Sequence, residues 1–288
     1  MTELSSLQEK AKLYRQQAWH LQPAQWLHDE KQAVHFVNER GFVFFWPIKN
    51  LPMPSLWTAT VGARPVPNNH DDPGHITWRW KDDLLDKRVW YYAKLIRKKA
   101  TILSYDLAPY FYTLTPNYGD YQNDYLLQYK NGVMEAEAKN IYEALLKKGP
   151  LHTLDLRREA RLTASDKKYR FNKALADLQA EMKILPIGTA TAGRWGYAMV
   201  YDIVARYHPE IEEKARFLTE TEAQQKILLT YLRSVGIAKS RDVARLFGWK
   251  NAHVLQAAEK LQAEDHIQLR TYEEKETYFV LTSLFKLQ

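Results

Sequence analysis

Leu178-Gln-Ala-Glu-Met-Lys-Ile184 and Leu261-Gln-Ala-Glu-Asp-His-Ile267 are near copies, each closing a helical period and opening an extended, apolar one. Upstream, Gly149-Pro-Leu-His-Thr-Leu-Asp155-Leu-Arg-Arg158 is echoed by Gly236-Ile-Ala-Lys-Ser-Arg-Asp242-Val-Ala-Arg245. The hydrophobic period repeats as well. Ile141, Leu145 and Leu146 form one apolar face, matched by Ile227, Leu228, Tyr231 and Leu232. Phe171, Leu175, Leu178 and Met182 form a second stripe, matched by Val254, Ala258 and Leu261.

The start signals agree with these periods. Thr219 precedes Glu222 by three residues as a capping box, and Thr153 and Ser240 stand where short second helices begin. A hairpin follows each longer helix: Ile184 to Tyr201, turning near Gly193 and Gly196, and Ile267 to Leu281, turning at Glu273-Glu274-Lys275. Helix, short helix, longer helix and hairpin is the winged-helix layout, with the hairpins as wings. The amino-terminal part reads as helix from Leu4 to Trp19, a second helix ending at Gly41, and the strand-like Phe42-Val-Phe-Phe-Trp46, a degenerate version of the same unit. The expected fold is mainly α with small β wings (α+β), three tandem winged-helix domains and an aromatic, Pro-rich connecting segment. The expected divisions are 1–62 for the degenerate unit, 63–130 for the connecting segment, and 131–212 and 213–288 for the winged helices.

A chain of 288 residues has ample core for this without staples. It contains no cysteine, which excludes zinc-finger and thiol chemistry and suits a reducing compartment. No apolar run reaches membrane-span length and the amino terminus lacks signal-peptide regions, so a cytoplasmic, nucleoid-associated location without membrane contact is expected. No cofactor or metal is expected; oligomeric state is left open. Phosphate-cradling glycine loops, His-Glu-x-x-His and nucleophile elbows are absent, which makes small-molecule enzymology the weakest class.

Net charge is +7, and its distribution says more than its size. Ten Lys and Arg face five Asp and Glu between Lys147 and Lys183. Lys167, Lys168, Arg170 and Lys173 crowd the start and outer side of one third helix, opposite its apolar stripe, where phosphate contacts belong if that helix follows a groove. A solvated lysine face is the plainer alternative. In the other copy, Lys250, Asn251 and Gln256 occupy the corresponding positions with groups able to read base edges. The expected partner is double-stranded DNA, damaged or distorted.

Seven of the nine tryptophans precede Tyr91. At that density aromatic rings either fill junctions or line a cleft that stacks bases; Trp46, Trp57, Trp78 and Trp80 are the candidates for a base-stacking pocket. The loop Asn68-Asn-His-Asp-Asp-Pro-Gly-His75 adds Asp71 and Asp72. A carboxylate there is suited to orienting water and shielding an oxocarbenium ion, as glycosidic hydrolysis requires. Asp-Asp-Pro-Gly is also strong turn chemistry, and His beside Asp is a superficial metal pattern.

From Gly149 onward, with Gly149-Pro150-Leu151, Ala174-Leu-Ala-Asp-Leu178 and Tyr201-Asp202, the chain resembles the winged-helix superfamily of the AlkZ/YcaQ-type DNA glycosylases. Gly236 to Leu269 resembles the final winged helix of that family. The resemblance implies three tandem winged helices around duplex DNA and excision of alkylated or crosslinked bases. It also implies a Gln, apolar, Gln or Asp motif just after the first Gly-aromatic-Val segment. Here Gly41-Phe42-Val43 puts Phe44, Phe45 and Trp46 on that motif, and neither Phe nor Trp polarises a water. N-glycosidic hydrolysis is therefore left open. A winged-helix transcription regulator without enzymatic activity is the alternative, separable by its demand for sequence rather than damage.

Overall fold

The computed structural model describes residues 2–69, 71–272 and 276–286. Its core is one pattern used three times: helix, strand, helix, longer segment, hairpin. The first copy runs α2 (Glu30–Arg40), β1 (Phe42–Phe44), α3 (Leu56–Val61), α4 (Ile76–Asp83) and the hairpin β2 (Tyr91–Lys94) with β3 (Ala100–Leu103), preceded by α1 (Glu3–Ala18). α5 (Ala108–Thr113) and α6 (Asp124–Lys130) lead to the second, α7 (Ala136–Lys148), β4 (Leu151–His152), α8 (Thr153–Glu159), α9 (Lys168–Ala180), β5 (Ile184–Ala190) and β6 (Ala198–Ile203). After α10 (Val204–Tyr207) and α11 (Pro209–Ala215) comes the third: α12 (Glu220–Val235), β7 (Ile237–Lys239), α13 (Ser240–Phe247), α14 (Asn251–Ala263), β8 (Ile267–Tyr272) and β9 (Glu276–Leu281), closed by α15 (Thr282–Phe285). The three antiparallel sheets have orders β1-β3-β2, β4-β6-β5 and β7-β9-β8, so in each the early strand adds to the outer side of the hairpin's second strand.

The quoted repeat works through its backbone. Met182 and Asp265, fifth in each copy, both lie in the left-handed region, at φ 51° and 56°. Lys183 N–H then donates to Leu178 O at 2.9 Å and His266 N–H to Leu261 O at 2.9 Å, the six-to-one bond that ends a helix and redirects the chain into a strand. The apolar stripes bury as the periods require, Phe171, Leu175, Leu178 and Met182 in one copy and Val254, Ala258 and Leu261 in the other. Thr219 and Glu222 form the expected capping box at the start of α12. The turn expected at Glu273-Glu274-Lys275 lies outside the described residues.

Two expectations about the amino-terminal part change. The strand pairing crosses the expected boundary at 62/63: Phe42 faces Leu103 and Phe44 faces Thr101. Much of the stretch read as connecting segment thus completes the first copy. Its strands were hard to see because β1 is buried on both faces and carries no alternation. α1, for its part, packs on the last copy, placing Leu4, Leu7 and Ala11 against Ile237, Val280 and Leu284. Tyr14 Oη, Arg15 Nε and Trp19 Nε1 donate to the carbonyls of Arg233, Val235 and Ser234 at 2.5, 2.7 and 2.6 Å. They supply the partners that the last turn of α12 lacks within the helix.

One hydrophobic core runs through all three copies, from Phe42 and Phe44 through Met182 and Leu185 to Leu228 and Phe279. Gly41 lets α2 approach α12 within it. Its φ is +75°, and a Cβ there would come within 2.5 Å of Thr230 Cγ2. No helix among the described residues is long and apolar enough to cross a membrane.

The junction between the first two copies carries a buried titratable chain. His208 sits between Tyr105 Oη, 2.8 Å from Nε2, and Glu210 Oε1, 2.9 Å from Nδ1, with Tyr207 and the Arg88 charge nearby. Burial holds the imidazole below its ordinary pKa, against the opposing pull of Glu210. The unfolded chain therefore binds a proton that the folded chain resists, and this share of stability is complete above about pH 6.5 and declines as pH falls below it. Thermal melting is expected at lower temperature at pH 5.5 than at pH 7.5, with a smaller fall for His208→Gln. An equal fall in both proteins would remove His208 as the cause.

Candidate nucleic-acid interface

β1 sends Phe42 and Phe44 into the shared core, and Val43 and Phe45 into a second cluster on the other side of its sheet. At the strand's exit Trp46 packs on Phe45 and stacks on Trp78 of α4, with ring centroids 5.7 Å apart and planes at 22°. The series continues edge-on to His75 and from there to Trp57. Trp78 is 39% exposed, so the stack opens on the surface. Trp46 Nε1 is buried and has no hydrogen-bond partner among the described residues.

Of the four expected stacking residues, then, Trp46 and Trp78 form a pair, while Trp57 and Trp80 are core residues. Trp57 is fully buried, donates from Nε1 to Arg64 O at 3.1 Å and lies under the Arg64 guanidinium. Trp80 points from the opposite side of α4 into the second cluster, a consequence of the 200° that separates positions 78 and 80 on a helix of about 3.6 residues per turn.

The loop with Asp71 and Asp72 is a tied turn. Asp72 binds Arg64 through both carboxylate oxygens, at 2.9 and 2.5 Å, and accepts from Gly74 N–H at 2.8 Å as an N-terminal cap. The Arg64 hydrogen bond is the first cause holding this carboxyl below its usual range. An acid so engaged has little capacity left for a water. Asp71 is exposed, and among the described residues its one hydrogen bond is made by its backbone N–H, to Asn69 Oδ1. His70 lies outside the described residues. Among the described residues no cluster of His, Asp and Glu could hold a metal ion.

Polar groups at this site come from residues that sequence reasoning passed over. Lys81, on α4, lies 5% exposed beneath the rings of Phe45 and Tyr92, paired with Asp82 at 2.5 Å. Burial lowers its pKa, while Asp82 pulls the other way. Tyr197, from the β5–β6 hairpin, donates to Asp82 at 3.0 Å and so fastens the hairpin to α4. Beyond Tyr197 the hairpin tip carries Arg194 and Trp195, the guanidinium lying over the indole 5.5 Å from its centroid. Trp195 is 85% exposed. The sequence held one usable signal: a Trp between Gly193 and Gly196 in a turn has no neighbouring element to be buried against.

The basic helix is less free than its composition suggests. Lys173 is held by Glu135 at 2.6 Å and Asp177 at 3.1 Å, which raises its pKa, and Arg170 reaches Glu137 at 3.4 Å. Lys167 donates to Arg161 O at 3.4 Å. Lys168 is exposed and has no anionic partner among the described residues, with Tyr169 exposed beside it. At the start of α14, Lys250, which precedes the helix, and Asn251 and Gln256 on it are exposed and likewise unpaired among the described residues.

At the aligned motif, Phe44 is wholly buried and Trp46 offers only an indole N–H. A pair of groups that holds and polarises water is not formed there.

A family model described as AlkZ related matches residues 27–248. Among solved structures, the DNA glycosylase AlkZ of Streptomyces sahachiroi is similar, at 15% sequence identity and a TM-score of 0.56, over 96% of this chain and 70% of that one. No curated protein matches in sequence.

Proposed function

The chain belongs to the AlkZ-related family, and on that premise we propose that it is a DNA-binding, repair-associated protein that recognises damaged or distorted duplex without excising the base through the family's glutamine motif. In this reading each helix–strand–helix–helix–hairpin copy is a winged helix. The divisions follow the observed sheets, so the first includes Phe42 through Leu103. The observation that carries the reading is the Gly193-to-Tyr197 hairpin tip: an exposed Trp195 under a guanidinium, anchored by Tyr197 beside the exposed Trp46–Trp78 stack. An aromatic wedge backed by a cation is suited to unstacking a base step, and the nearby rings to receiving what is displaced. Unstacking is cheapest at a mismatched or damaged base, which makes damage rather than sequence the selector.

Lys168, Lys250, Asn251 and Gln256 supply backbone and groove contacts in this reading, and Lys173 contributes little because two carboxylates already neutralise it. The test is a salt titration of duplex affinity. Lys168→Ala is expected to weaken binding and reduce the slope of log K against log salt by about 0.9, one phosphate contact. Lys173→Ala should leave that slope unchanged. Equal slopes for wild type and Lys168→Ala would take α9 out of the interface.

A further inference from the structure

A cavity lies on the other side of the first sheet from the Trp46–Trp78 stack, where the β2–β3 loop, the end of α5, the start of α12 and the α13–α14 turn meet. Its volume is about 410 Å³, in the range of small-molecule sites. Three features set it apart from a packing void. Phe247 and Trp249 form a stacked pair on its wall, with centroids 4.7 Å apart and planes at 24°. Gln224 lines it, and its amide, not shut off from solvent, has no hydrogen-bond partner among the described residues. At the rim, Arg97 is exposed without an anionic partner among the described residues, whereas its neighbour Lys98 is bound to Asp177.

The rim is also strained. Arg97 and Lys98 both hold left-handed backbone, at φ 53° and 56°, which costs free energy in residues other than glycine and turns the Arg97 position toward the opening. The Gln224 amide, which no described residue engages, is available to a ligand in the cavity. A flat ring against Phe247 and Trp249, a donor and acceptor pair from Gln224 and a cation at the entrance together describe one ligand chemistry. Gln offers its amide in register with the amino and ring nitrogens of adenine, and Glu220, one turn earlier on α12, adds an acceptor for the second amino hydrogen.

We propose that this cavity binds a single unpaired adenine nucleotide, its base on the Phe247–Trp249 face, its edge on Gln224 and its phosphate on Arg97. The source is either a free nucleotide or one extruded from DNA; only the second rests on the DNA-binding reading. The experiment titrates the full chain calorimetrically with AMP and with adenosine. In parallel it compares affinity for a duplex carrying one bulged adenine with affinity for the same duplex without it. Wild type is expected to bind AMP more tightly than adenosine. Gln224→Leu should weaken AMP by about tenfold or more, and Arg97→Gln should weaken AMP while leaving adenosine unchanged. Both variants should melt as wild type does, since Gln224→Leu keeps the apolar volume and Arg97 is exposed.

AMP binding with no preference for the bulge identifies the free nucleotide. A bulge preference that Gln224→Leu abolishes identifies extruded DNA. Absence of both, or either one persisting unchanged in Gln224→Leu, overturns the proposal. Affinity for the unbulged duplex reads the DNA-binding proposal separately, since no contact of the cavity enters it.

Discussion

Trp195→Ala is expected to reduce affinity for a duplex containing a mismatch by roughly 5- to 150-fold, the equivalent of about 1–3 kcal/mol for one stacked base, and to leave the melting temperature unchanged. The residue makes so little contact with the rest of the chain that its loss removes no packing: it stands at the hairpin tip, 85% exposed, touching chiefly Arg194. Exposure alone does not single it out; its place at a hairpin tip that Tyr197 fastens to α4 does. Fully paired duplex should lose less affinity, because the wedge has more stacking to break there, so the ratio between mismatched and paired duplex should shrink in the variant. Tyr197→Phe separates anchoring from wedging. It keeps Trp195 but frees the hairpin from Asp82, and should narrow the same ratio only partly. Binding measured by fluorescence anisotropy checks all three proteins, and a Trp195→Ala variant with the wild-type ratio would assign the tip no role in recognition.

Trp57→Ala is expected to cost about 3–5 kcal/mol of stability, the range for emptying a large aromatic site in a core. Its effect should reach beyond the cavity it leaves. The indole is what the 64–75 loop is wrapped around: Nε1 holds Arg64 O, the guanidinium of Arg64 covers the ring, and Asp72 holds that guanidinium. Gly74 packs so closely that a Cβ there would fall 2.6 Å from Trp57 Cη2. His75, at the loop's end, touches Trp78. Loss of Trp57 thus loosens the support beneath the surface stack as well as the core. Denaturant unfolding gives the stability change, and limited proteolysis between residues 64 and 75 should become faster in the same variant. A stability loss under 1 kcal/mol would mean that the loop, not the indole, holds this region together.

The repeat made most of the fold legible. Leu178-to-Ile184 and Leu261-to-Ile267 announced the helix-to-strand transition, and the left-handed Met182 and Asp265 show why those letters recur. The first copy is harder to read, because it shares the topology without the letters: its strands are short, β1 is buried on both faces, its early strand and hairpin lie far apart in sequence, and the prolines between them suggest loop. At the site, charge composition misled. A Lys looks alike in sequence whether it has no anionic partner among the described residues, as with Lys168, or is paired with two carboxylates from other turns and helices, as Lys173 is. Tryptophan density marks the stretch where Trp46 and Trp78 stack but does not sort a buried Trp57 from an exposed Trp78. Lys81 and Asp82 carried no signal at all, since their importance comes from Tyr197, more than a hundred residues away in the chain.

Damage-directed DNA binding without excision by a water held at Phe44 and Trp46 is open to one decisive experiment: single-turnover incubation with a labelled duplex carrying 7-methylguanine, followed by alkaline cleavage at abasic sites, with an unmodified duplex and a gel shift alongside. The expected outcome is a shift that favours the modified duplex and no cleavage above the unmodified control. Cleavage of the modified strand would contradict the claim that the altered motif is silent, and absence of a shift with either duplex would contradict DNA binding itself.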